Sequence, residues 1–149
     1  MFLATYVAWV RSGSVPPPHV KCGRLSFRQG QCMRRLRLGW HSLAIQTGRF
    51  TGVPRSQRIC VLCEAVQCVG EDNQLPVEDM LHFLLECKVL HPVRDKFPAL
   101  FCPNSLPDST AATHAKHVLN HTDQYQVACA LHCMLQRRKA CIELLQSGE

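Results

Sequence analysis

The sequence predicts a mainly α fold, in the form of a small helical module. Apolar residues recur every three to four positions in two long stretches, about residues 26–46 and 124–146, as they do on one face of a helix. No stretch alternates apolar and polar residues over a length that would build a large sheet. The chain has 149 residues, which suits one domain. We place this domain at residues 24–149, after an irregular or flexible extension at residues 1–23.

The N-terminal extension combines a short apolar run with a proline-rich segment. Residues 1–10 are apolar but lack the basic segment of a signal peptide, and they reach about half the length that spans a bilayer. Pro16, Pro17 and Pro18 favour extended, poorly packed chain. We therefore expect a start-site extension or a packed strand, no membrane contact, and an intracellular protein, nuclear or cytoplasmic.

The first helical stretch covers about residues 26–46. The apolar positions that would share its buried face are Met33, Leu36, Trp40 and Leu43. Gly39 is expected to divide the stretch into two shorter helices, because glycine disfavours a helix interior. Gly48 is expected to end the second one.

Two helices are predicted in the second half of the chain before the last one. Glu78 and Asp79 open a short helix, where acidic side chains suit the positive end of the helix dipole. Another helix is expected at residues 111–119.

The last helix begins with a capping pair, Asp123 and Gln126. Its apolar stripe consists of Val127, Leu131, Met134, Leu135, Ile142 and Leu145. If Leu131, Leu135 and Ile142 stayed exposed, residues 124–146 would form a surface for a protein partner or a dimer. A structural or protein-interaction module is therefore an alternative to any ligand-binding function.

The charge is distributed unevenly along the chain. Lysine and arginine number 17 against 11 acidic residues, a formal net charge of +6, and ten of the basic residues precede Glu64, the first acid. Such a segment attracts polyanions, because each neutralised phosphate releases condensed counterions. The predicted contacts are Arg34, Arg35, Arg37, Arg49, Arg55 and Arg58, with Trp40 and Phe50 as candidates to stack on single-stranded bases. A solvated basic face without a ligand is the alternative.

Four cysteine and histidine side chains have the spacing of a metal site. Cys60 and Cys63 are separated by two residues, the distance at which a tight turn directs two thiolates at one tetrahedral ion. His82 and Cys87 follow after 18 residues and are separated by four. Three thiolates and one imidazole form a closed ligand set, which is typical of structural zinc because no position is left for water. The sequence thus predicts a module stapled by Zn²⁺, with a zinc core at about residues 58–101.

Other interpretations of the cysteines stay open. Cys68 lies close enough in the sequence to replace one ligand, and Cys60 with Cys63 could instead form a redox pair or be inert buried thiols. A second metal would need His114, His117, His121, Cys129 and Cys133.

Three segments resemble one known family. They are residues 36–49 (LRLGWHSLAIQTGR), residues 58–63 (RICVLC) and residues 77–87 (VEDMLHFLLEC), with residues 89–94 as a matching continuation. They are similar to the zinc-binding segment at the C-terminal end of reverse-transcriptase polyproteins from non-LTR retrotransposons. The last helix, with Arg137, Arg138 and Lys139, resembles the closing helix of that segment.

The resemblance implies the same four metal ligands and a basic segment that holds template RNA or target DNA. We expect RNA or single-stranded DNA as the partner. It also implies an orphan fragment or domesticated remnant of a mobile element. The stretch between Cys63 and Glu78 is longer than usual for the family. The sequence contains neither a Tyr-x-Asp-Asp carboxylate pair nor a phosphate-binding P-loop, so we expect no enzymatic activity and no small-molecule substrate.

Overall fold

A computed structural model describes residues 24–39, 41–70, 72–102 and 110–148. This part of the chain is mainly helical, as predicted, and its only β pairing is an isolated antiparallel bridge between Ile59 and Val77. The α-helices are α1 Phe27–Arg37, α2 Ala44–Phe50, α3 Val61–Ala65, α4 His91–Arg94, α5 Pro98–Phe101, α6 Ala111–Leu119 and α7 Gln124–Ser147. Single turns of 3-10 helix at Arg55–Gln57 and Lys88–Leu90 and of π-helix at His82–Glu86 complete the architecture. The predicted extension at residues 1–23 and the stacking residue Trp40 lie outside the described residues.

Local sequence explains where α1 begins and ends. The Ser26 side chain accepts from the Gln29 backbone N–H, and the Gln29 side chain accepts from the Ser26 N–H, which forms a reciprocal capping box. Leu38 caps the other end, and Gly39 follows with φ of +71°, a left-handed conformation that glycine adopts without strain. The predicted division of the first helical stretch at Gly39 is confirmed.

The prediction that Gly48 ends the second helix is wrong. Gly48 is buried inside α2, which continues to Phe50. A Cβ atom at this position would lie 2.7 Å from Cγ of Arg58. Gly48 therefore allows the Arg58 side chain to cross the helix, where it donates to the carbonyls of Ile45 and Val53.

The long helix α7 is the centre of the module. It packs against α1, α3, α4 and the Lys88–Leu90 turn. Val127, Leu131 and Met134 are fully buried, and each stabilises the fold by about 1.5–3 kcal/mol through the apolar surface it removes from water. Asp123 caps the helix by accepting from the Gln126 N–H, but the predicted capping box is incomplete, because the Asp123 N–H donates to His121 Nδ1 and not to the Gln126 side chain.

The predicted partner surface on α7 does not take the form that the sequence suggested. Leu131 is buried, and Leu135 and Ile142 are half-buried against the core. The stripe therefore packs within the chain except at its last member, Leu145, which α7 exposes together with Leu144. In the described part of the chain, no helix is both long enough and apolar enough to cross a membrane.

Candidate metal centre

The first two predicted ligands lie at the start of α3. Cys60 precedes the helix, and its backbone N–H donates to the Pro76 carbonyl at 2.8 Å. Cys63 lies on the first turn of α3, and both thiols are buried. This turn directs the two side chains toward the same point, as the C-x-x-C spacing predicted.

The other two predicted ligands lie at the ends of the π-helical turn. Asp79 begins this segment by accepting from the His82 N–H at 3.0 Å, which confirms its predicted role at a helix start. The Cys87 N–H then donates to the His82 carbonyl five residues earlier, at 2.8 Å. The wider turn brings the imidazole and the Cys87 thiol to the same side of the chain. Arg94 fixes the end of the turn by donating to the Cys87 carbonyl at 2.5 Å.

The structure brings all four predicted ligands together in the buried interior. Their ligand atoms lie within 4.8 Å of one another, with 3.4 Å between Cys63 Sγ and His82 Nε2 and 3.9 Å between Cys63 Sγ and Cys87 Sγ. The other ring nitrogen, His82 Nδ1, faces the Glu86 carboxylate at 3.7 Å. The arrangement is compatible with one tetrahedral metal ion, with Nε2 as the ligand atom of the imidazole.

The acidities of the three thiols show what a cation would contribute. The hydrogen bond between Cys60 and Cys87 raises the pKa of Cys60 and lowers the pKa of Cys87 to about 4. Burial raises the pKa of Cys63 to about 12. A divalent ion bound among the three thiols would favour the thiolate form of each, because it supplies the positive charge that burial makes necessary.

The alternative ligands lie outside this cluster. Cys68 is half-buried near Cys63 but does not belong to the group of four. The residues proposed for a second metal form no such group. Among the described residues, the only cluster of three or more potential ligands is the quartet formed by Cys60, Cys63, His82 and Cys87. His117 instead meets His121 edge-on at 5.7 Å, and Cys129 accepts from the Gln29 side chain.

The sequence did not predict the buried ion pair between Glu78 and Arg138, which lies beside the quartet. Both carboxylate oxygens of Glu78 accept from the Arg138 guanidinium, at 2.6 and 2.7 Å. One of them also accepts from the Ala44 N–H at 2.7 Å, and the other lies 4.0 Å from Cys60 Sγ. Glu78 was predicted to open a short helix of its own segment. It instead joins the start of α2, the helix α7 and the cluster. The available signal was Arg138 itself, a charged residue in register with the apolar stripe of α7.

The six predicted arginine contacts fall into two groups. Arg34, Arg35, Arg49 and Arg55 are exposed, and Arg55 pairs with Asp79 at 3.1 Å. Arg37 is buried and donates to the Leu119 carbonyl and the Gln124 side chain. Arg58 is half-buried against Gly48. The prediction that Arg37 contacts a ligand at the surface is therefore wrong, because Arg37 belongs to the core. Arg58 uses its guanidinium group to donate to the carbonyls of Ile45 and Val53.

Comparisons with protein-family models, with curated proteins and with solved structures find no significant match to this chain.

Proposed function

We propose that this chain is a non-catalytic module that is stabilised by zinc and binds nucleic acid through its exposed arginines. We also propose that it derives from the zinc-binding end of a non-LTR retrotransposon reverse-transcriptase polyprotein, on the strength of the sequence resemblance described above. Its place would be the nucleus or the cytoplasm, where thiols stay reduced and available to a metal.

The donor set and its dimensions support zinc. With bonds of about 2.3 Å to sulfur and 2.0–2.1 Å to nitrogen, a tetrahedral zinc ion separates two sulfurs by about 3.8 Å and a sulfur and a nitrogen by about 3.6 Å. Cys63 Sγ lies 3.9 Å from Cys87 Sγ and 3.4 Å from His82 Nε2, and all four ligand atoms lie within 4.8 Å of one another. Three thiolates and one imidazole leave no coordination position for water, so the ion would hold the fold and catalyse no hydrolysis.

The single observation that carries nucleic-acid binding is the exposure of arginines in a segment without acids. Arg34, Arg35 and Arg49 face solvent, and none of the ion pairs among the described residues involves them. No acidic residue occurs before Glu64. Guanidinium groups outside ion pairs are suited to phosphate, which they can bind through two parallel hydrogen bonds.

The test is a fluorescence anisotropy titration of the zinc-loaded chain with a labelled 20-nucleotide DNA strand at 50–200 mM NaCl. We expect affinity to fall steeply with salt. The double variant Arg34→Glu/Arg35→Glu should weaken binding and flatten the salt slope by about 0.7 for each phosphate that is no longer neutralised. The matched control is Lys88→Glu/Lys96→Glu, which changes the charge equally at exposed positions outside the basic segment. Absence of binding at 50 mM salt, or equal effects of the two double variants, would contradict the proposal.

A protein partner at the end of α7 is the second candidate. Leu144 is 71% exposed and Leu145 is also exposed, which places two adjacent apolar side chains at the exposed end of α7. If this end carried the main activity, reversing the charge of Arg34 and Arg35 would leave partner binding intact.

A further inference from the structure

Two phenylalanines are unusually exposed within the basic segment. Phe27, the first residue of α1, is 76% exposed, and Phe50, the last residue of α2, is 79% exposed. Neither ring contributes to the core, which the same two helices supply with Met33, Leu36 and Ile45. The fold therefore does not require an aromatic ring at either position.

The residues next to the two rings in the sequence are cationic or polar. Phe27 is preceded by Ser26 and followed by Arg28, which is exposed, and Phe50 lies between the exposed Arg49 and Thr51. A protein interface would be expected to place such rings within a continuous apolar patch. Here each ring is instead adjacent in sequence to an exposed arginine and to no other apolar side chain.

We propose that Phe27 and Phe50 are base-stacking positions, so that the nucleic acid bound by this chain is single-stranded. This inference rests on the proposed function and specifies its ligand. A phenyl ring beside a guanidinium can stack on an unpaired base while the cation holds the adjacent phosphate. In a duplex the bases already stack on one another, so no base face is free to stack on the two rings. Arginines alone would bind both forms through their phosphates, whereas the rings select the single strand.

The two contributions differ in their salt dependence, and this separates them experimentally. Phosphate contacts release counterions, so removing an arginine lowers both affinity and the dependence of affinity on salt. Stacking releases no counterions. Removing a ring should therefore lower the affinity for a single strand and leave the salt slope unchanged.

The experiment titrates zinc-loaded protein with a labelled 20-nucleotide DNA strand and with the duplex of the same sequence. We expect Phe27→Ala/Phe50→Ala to bind the single strand at least tenfold more weakly, at an unchanged salt slope, and to bind the duplex as the parent chain does. Phe50→Trp should retain single-strand affinity. Leu144→Ala is the matched control, because it removes an equally exposed apolar side chain outside the basic segment.

Each outcome has a distinct meaning. If the double phenylalanine variant binds the single strand as tightly as the parent chain, while Arg34→Glu/Arg35→Glu still weakens it, the stacking inference is overturned and phosphate binding stands. The inference is also overturned if the phenylalanine variant loses duplex and single-strand affinity equally. If the parent chain binds neither nucleic acid at 50 mM salt, the proposed function itself fails.

Discussion

At the scale of single residues, Glu78 has the most consequential position. A buried carboxylate is costly unless it is paired and hydrogen-bonded, and Glu78 is 1% exposed. Arg138 supplies the opposite charge, and the Ala44 N–H at the start of α2 supplies another donor. Each partner comes from a different part of the chain, so the position of Glu78 depends on the complete fold.

Removing one member of this pair should be far more damaging than removing both. Arg138→Met leaves a buried charge without its partner and should lower the free energy of unfolding by about 3–5 kcal/mol. The double variant Glu78→Gln/Arg138→Met removes the charge as well and should recover a substantial part of that loss. Urea unfolding of the zinc-loaded proteins measures both.

The control is Lys139→Met on the same helix. Lys139 is exposed and forms only a surface pair with Glu143, at 3.6 Å, so its replacement should change stability by less than about 0.5 kcal/mol. Equal stability of the Lys139 and Arg138 variants would show that the buried pair contributes nothing.

At the scale of elements, α2 illustrates how a glycine can serve a neighbouring side chain. The Arg58 side chain lies against Gly48 and donates to the carbonyls of Ile45 and Val53, at 2.9 and 2.8 Å. This contact fastens α2 to the segment that leads into Cys60. The stem of Arg58 is held at both ends and cannot move aside easily.

The effect of Gly48→Ala should change sign with the residue at position 58. In the parent chain the new methyl group would meet the Arg58 stem and destabilise the fold by about 1–3 kcal/mol. In an Arg58→Ala background the obstruction is gone, and alanine should be neutral or stabilising by up to about 1 kcal/mol, because it favours helix over glycine. A double-mutant cycle by thermal unfolding gives the coupling. Equal effects in the two backgrounds would mean that the contact is not the reason for the glycine.

At the scale of the whole molecule, the cluster connects elements too short to be stable alone. The helix α3 has five residues, and the π-helical turn that carries His82 has five. Isolated helices of this length are unstable in water. Packing holds both elements in place, α3 against α7 and the π-helical turn against α6, and a metal ion shared by the four side chains would join them directly.

Metal removal should unfold this centre. Native mass spectrometry of protein purified without chelator should show one zinc ion, absent from Cys60→Ser and Cys87→Ser and retained by Cys68→Ser. A strong chelator should cost at least about 5 kcal/mol, which corresponds to a fall in Tm of roughly 10–20 °C for a chain of this size. Acid should have the same effect, because protons compete for the thiolates and the imidazole. An unchanged Tm after complete removal of metal would contradict a structural role for the ion.

Much of this architecture follows from local sequence. Helical spacing predicts α1, α6 and α7, Gly39 predicts the division between α1 and α2, and ligand spacing predicts the quartet. The burial of Arg37 and Glu78 does not follow, because the partners of both lie far away in the sequence. From local sequence alone, a charged residue in a basic or acidic stretch is expected at the surface. Its burial can be recognised only when the partner that neutralises it in the folded chain is known. The same reason explains Gly48, whose role depends on Arg58 and not on its own helix.

The two ends of the segment between Cys63 and Glu78 are held together by backbone contacts that do not depend on how long the segment is. Cys60 N–H donates to the Pro76 carbonyl, and Ile59 pairs with Val77, so the two ends of the segment meet beside the quartet. Val66, Gln67, Val69 and Gly70 lie beyond this closure, at or near the surface. Extra residues inserted there would extend into solvent and leave the ligand geometry unchanged. The segment is therefore a natural insertion point for an affinity tag or a fluorescent reporter.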